Sequence, residues 1–269
     1  MRTYLDLVRT PGLMRLTLSQ LLTRLPDAML SIAVLMHVNA QLGSYAAATA
    51  AVASLGVSQA VATPSLSRAV TAWGAQRVLA VAGAVHAGGM LVLGSAPLNG
   101  AVAVTLAVVI GASTPPVVPV VRSLYPALVP AKNVSAMFTL DMTAQEVIWI
   151  VGPLLATTLA ASGFSGAGLI AAGLVAGFGM TWFLLTLGPR SAEIPRAARG
   201  GRGVLRDAAM IATMLATFML VASFTAMEVA AVAKFEGQGV LTGAAIALSS
   251  APRSSAARSS DTGSSDGPV

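Results

Sequence analysis

Few side chains in this sequence can do chemistry, and the conspicuous ones are charges set inside long apolar stretches: Arg24, Asp27, Asp141, Glu146 and Glu228. A charge at the centre of a bilayer costs about 2.5–3.5 kcal/mol or more, so it normally faces a cavity or a partner. Arg24 and Asp27 are three apart and share one face of a helix. They read either as an internal ion pair or as a substrate or proton site. Pro26 between them breaks the backbone ladder where a cavity can use the freed groups. Asp141 and Glu146 are five apart, about 140° around a helix, so they share no tight face. Asp141 lies near one end of its stretch and reads as solvated. Glu146 lies deeper, and a carboxylate in an apolar wall suits reversible proton binding. Glu228 reads as interfacial, or as a further coupling candidate. His86, between Gly83 and Gly88-Gly89, reads as a hydrogen-bonding residue at a close helix contact, and His37 as lying near a membrane surface.

Other chemistries find no residues. The chain has no cysteine, which removes disulfides, thiolate metal sites and cysteine nucleophiles. No Ser/His/Asp set, metal-ligand cluster or phosphate-binding glycine loop stands out, so no enzyme activity, cofactor or metal is expected. Gly173 and Gly177 offer one small-residue packing face.

The elements that must position these residues are membrane helices. Of 269 residues, 55% are hydrophobic and only 10% charged, with a mean hydropathy of +0.79. A soluble domain carries about 25% charged residues. Seven stretches approach the ~20 apolar residues that a spanning helix needs. They are Leu16–Val38, Ala46–Val70, Val78–Ala96, Ala101–Val121, Val134–Ala161, Gly166–Gly188 and Ala208–Ala233. None alternates at period two, as a barrel strand would. Pro115, Pro116 and Pro119 predict a kink in the fourth.

The net charge of +6 is placed by the same pattern. Arg2, Arg9 and Arg15 precede the first span. Arg68 and Arg77 flank the second loop, Arg122 and Lys132 the fourth, and Arg190, Arg196, Arg199, Arg202 and Arg206 fill the sixth. The intervening loops carry no Lys or Arg, so the basic side, with the N-terminus, is expected in the cytoplasm. Basic residues serving as loop anchors give no nucleic-acid surface.

The organisation expected is therefore an all-α polytopic bundle. Residues 1–188 form six helices and 189–206 a basic linker, with anionic lipid contact as its functional alternative. Residues 207–248 begin a second half, and 249–269 form a polar tail. The abrupt change of composition near Ser249 reads as a shifted frame or a truncation.

Six helices, a long basic loop and further helices resemble the layout of the major facilitator superfamily. Local segments resemble actinobacterial-type members. They are Arg24-Leu25-Pro26 with Met29, Gly43-Ser44-Tyr45, Pro115-Pro116 before Val121-Arg122, Asp141 with Glu146, Gly152-Pro153-Leu154-Leu155, and Met227-Glu228-Val229. The family's gating loop keeps only Gly74 and Arg77 here, with Ser67, Thr71 and Ala72 at its other positions. The helix-5 motif of drug antiporters keeps Gly152 and Pro153, but Ala156-Thr157 replace its final glycines. The resemblance implies a secondary transporter in the cell membrane, with proton-coupled efflux of small molecules. A non-transporting fragment of such a protein is the alternative. Its implied partners are a small-molecule substrate, protons and lipid, together with dimerisation or pairing with a missing C-terminal half.

Overall fold

The computed structural model describes residues 12–188, together with eight helical positions between Ala212 and Ala230. These residues form an all-α membrane bundle, and no strand occurs among them. Six crossings are long and apolar enough to span a bilayer. Helix α1 runs Leu13–Leu42, α2 Tyr45–Trp73 and α3 Ala75–Ser95. The fourth crossing is divided into α4, Gly100–Ala112, and α5, Val117–Leu128. A 3₁₀ turn, Ala131–Asn133, leads into α6, Val134–Ala160, and α7 covers Ala167–Leu187. The expected seventh helix, Ala208–Ala233, lies mostly outside the described residues. So do Glu228, the 189–206 linker and the 249–269 tail.

Local chemistry sets the helix ends. Ser44 Oγ accepts the Ala47 N–H at 3.3 Å to start α2, and Asn99 Oδ1 accepts the Val102 N–H at 2.9 Å to start α4. Gly74, a gating-loop residue in the sequence reading, is the whole link between α2 and α3. Its φ of +88° is a conformation that side chains other than glycine's avoid. Three residues after it, Arg77 is exposed in the first turn of α3.

The proline-rich fourth crossing does more than kink. Pro115 and Pro116 bring no N–H to a helical ladder, and the helix stops at Ala112 and restarts at Val117. Thr114 N turns to Gly111 O at 3.2 Å, so the Ile110 carbonyl loses its helical donor. Pro119 falls in the first turn of α5, where a missing N–H does no harm.

The centre of the bundle is α1, packed on α7, α6 and α2, while α2 also packs on α4 and α3 on α7 and α4. Pro26, buried inside α1, deprives Leu22 of a ladder partner. At that turn α7 comes closest. A Cβ on Gly179 would lie 2.9 Å from Thr23 N and 3.0 Å from the Leu22 carbonyl carbon. Gly152 of α6 makes a similar approach, its virtual Cβ 2.6 Å from Ala28 Cβ and 2.8 Å from Ala28 C. Pro153 beside it is buried. These two sequence-motif residues therefore pack α6 against α1.

Two apolar cores stack along the bundle. One gathers Met29 to Val38 of α1 with Val52, Met90, Ile110 and Leu169. The other gathers Leu13 and Leu16 with Leu79, Leu124, Tyr125 and Phe183. On α1 the gap between them is occupied by Gln20, Thr23, Arg24 and Asp27. The ion pairs of the described residues sit in that layer.

Candidate functional site

Arg24 is the hub of the polar layer. Its Nη1 donates to Asp141 Oδ1 at 2.7 Å and to Gln20 Oε1 at 2.9 Å, and its Nη2 donates to Gln145 Oε1. Gln20, one turn earlier on α1, donates its amide to Asp141 Oδ1 at 3.1 Å. From α5, Arg122 Nε donates to Asp141 Oδ2 at 3.1 Å. One carboxylate thus takes three hydrogen bonds, two of them from guanidinium groups, and ties α1, α5 and α6 together. The Arg24 and Asp141 side chains are almost wholly buried, at 6% and 1% exposure, whereas that of Arg122 is 38% exposed. Tyr125 is buried, with its hydroxyl beside Asp141. The ring is held edge-on to Phe138, centroids 5.4 Å apart.

Two guanidinium groups against one carboxylate leave one unit of positive charge. Burial makes each pairing obligatory, because an unpaired ion in a low-dielectric interior loses its hydration and gains nothing in return. The surplus resides on Arg122, the member with surface to offer.

A second pair lies nearer the middle of the crossing. His86 of α3 is buried, with Nε2 3.2 Å from Asp27 Oδ1 and Nδ1 2.8 Å from Ile110 O of α4. A third polar knot lies at the neutral end. Gln41 Nε2 donates to His37 Nε2 at 3.0 Å, so His37 Nδ1 carries the proton given to Ser165 Oγ, also at 3.0 Å.

Several sequence expectations change. Arg24 and Asp27 share a stretch of α1 but do not pair with each other; each finds a partner on another helix. Asp141 is not solvated, because Gln20 and Arg24 of α1 and Arg122 of α5 close over it. Glu146 is exposed on α6, while its neighbour Gln145 reaches Arg24. His37 lies towards the neutral end of α1, buried between Gln41 and Ser165. His86 does hydrogen-bond across a helix contact, and its acidic partner went unforeseen. Gln20, Arg122 and Gln145 were missed as well. Only the i, i+4 spacing of Gln20 and Arg24 offered a signal, since polar pairs at that spacing meet on one face.

Outside the polar layer, an apolar groove of about 580 Å³ lies between α2, α3 and α4, lined by Leu66, Trp73, Arg77, Val81, Val85 and Val109 among others. No group of three or more His, Cys, Asp or Glu side chains able to hold a metal occurs among the described residues. Neither the comparison with protein-family models nor that with curated proteins yields a match.

Proposed function

We propose that the six described crossings of this chain form the first half of a secondary transporter of the major facilitator type. In this reading it lies in the cell membrane with its N-terminus in the cytoplasm and exchanges small molecules for protons. The observation that carries the reading is the Arg24–Asp141–Arg122 cluster. A membrane bundle that served only as an anchor would gain from apolar residues at these positions, since buried ion pairs seldom add stability over well-packed hydrophobic ones. Ionisable residues kept inside spanning helices mark ligand or ion pathways. The alternation of basic and neutral loops supports the orientation. The exposed faces of α2 and α6 supply surface for a second six-helix half or a second copy.

The unbalanced cation narrows the cargo. Arg122 presents positive charge at the edge of the cluster, which suits an anionic group, because a guanidinium fork binds carboxylates and phosphates with two parallel hydrogen bonds. The test is flux in proteoliposomes containing the full chain under an imposed pH gradient, with carboxyfluorescein as the anionic probe and ethidium as the cationic one. The expected result is gradient-driven movement of carboxyfluorescein, reduced at least about tenfold in Arg122→Gln, equivalent to ~1.4 kcal/mol of lost interaction. Flux of neither dye, or equal flux in wild type and variant, would show that this cluster moves no cargo.

A further inference from the structure

Ile110 O stands at the break between α4 and α5. Its normal helical donor, the Thr114 N–H, has turned to Gly111 O. The vacancy is filled from another helix by His86 Nδ1 at 2.8 Å. A carbonyl only accepts, so Nδ1 carries a proton. The other ring nitrogen, Nε2, is 3.2 Å from Asp27 Oδ1. One proton must lie between these two atoms, because two lone pairs do not make a hydrogen bond. The imidazole therefore bridges two acceptors, the Asp27 carboxylate and the Ile110 carbonyl, and needs two N–H groups or their equivalent.

We propose that His86 and Asp27 form a one-proton latch that fastens α3 to the break in the fourth crossing when protonated and releases it when the proton leaves. Loaded, the pair is imidazolium and carboxylate, or equally imidazole and carboxylic acid. When one proton departs to solvent, a single N–H remains for two acceptors. The bond to an ionised carboxylate is about twice as strong as one to a neutral carbonyl, so the remaining N–H stays on Nε2. The proton lost is the Nδ1 proton. A bare nitrogen then faces a carbonyl oxygen at 2.8 Å, and the contact opens. Release leaves no orphan, because Thr114 Oγ1 at 3.4 Å already donates to Ile110 O, while the Ser113 hydroxyl gives its proton to Val109 O at 2.7 Å.

The surroundings suit such a switch. Asp27 and His86 fall near the middle of spans Leu13–Leu42 and Ala75–Ser95. The Asp27 side chain is 34% exposed, which gives the proton a way out. Gly89, one turn beyond His86, brings the backbones together, since a Cβ there would stand 2.7 Å from Ile110 Cγ1. Other charges nearby are engaged: Arg24 on α1 binds Asp141 of α6, which also holds Arg122 of α5. Within their helical bounds, α4 and α7 bring no ionisable side chain, and α2 brings only Tyr45 and Arg68 near its ends. The latch names the proton site of the transport reading and rests on that reading for its use. The measurements below detect the proton and the helix contact without any flux, so each idea can fail alone.

The chain holds two histidines, so His37→Gln leaves His86 as the sole imidazole for ¹⁵N magnetic resonance in detergent. On raising the pH, Nδ1 should lose its proton while Nε2 keeps its own. Asp27→Asn should abolish that step, because the amide donates to Nε2 and leaves Nδ1–H in place. The absence of native cysteine makes a single Ala112→Cys reporter clean. Thiolate formation speeds labelling in any chain as pH rises, so the rate is read as the ratio of the Asp27 chain to Asp27→Asn at each pH, and that ratio should rise at least threefold. Loss of the proton from Nε2 rather than Nδ1 would overturn the latch, as would one labelling profile shared by both chains.

Discussion

Two ionic groups lie within one turn of each other on α1, and they are built on opposite principles. Around Arg24 the ion pair is sealed: both side chains are buried, and its charged partners are guanidinium and carboxylate. Around Asp27 it is open: the carboxylate is one-third exposed and its partner is a histidine, which can gain or lose its charge. The first arrangement fastens α1, α5 and α6 without a histidine. The second makes the contact between α1, α3 and α4 depend on one proton. Adjacent positions on a single helix thus separate holding from switching.

The largest effect that would break this comparison comes from Asp141→Asn. The variant leaves Arg24 and Arg122 without a counter-ion, and removing one partner of a buried pair costs about 3–5 kcal/mol. Thermal unfolding in detergent should show a strongly lowered midpoint; an unchanged midpoint would mean that the cluster fastens nothing. Next is Gly152→Val, which drives a side chain into the Ala28 backbone and should cost about 1–3 kcal/mol by overpacking. The same unfolding assay reads it, and a neutral result would mean that α6 can move off α1. The smallest effects sharpen the contrast. Asp27→Asn and the exposed Glu146→Gln should each stay within about 0.5 kcal/mol of wild type. A loss from Asp27→Asn as large as that from Asp141→Asn would erase the distinction between the two groups.

Sequence alone carried the architecture well, for a plain reason. A bilayer demands unbroken apolar length, and that demand is written locally, so each of the six described crossings overlaps its expected stretch. The site was less legible because its contacts are not local. Arg24 and Asp141 are 117 residues apart, and His86 and Asp27 59. Spacing reveals which residues share a helix face and is silent on which helix will face them. Asp27 therefore looked like the natural partner of Arg24, and Asp141 looked solvated. The break in the fourth crossing was half visible. Pro115 and Pro116 announced a distortion, but the freed carbonyl gained meaning only once His86 stood opposite it.

The single residue that joins α2 to α3 also constrains how the molecule is made. One residue reaches at most about 3.6 Å, far less than the thickness of a bilayer. No assembly intermediate can hold α2 across the membrane while α3 waits at a distance in water. The two must enter the lipid together as a hairpin, with Gly74 at its tip.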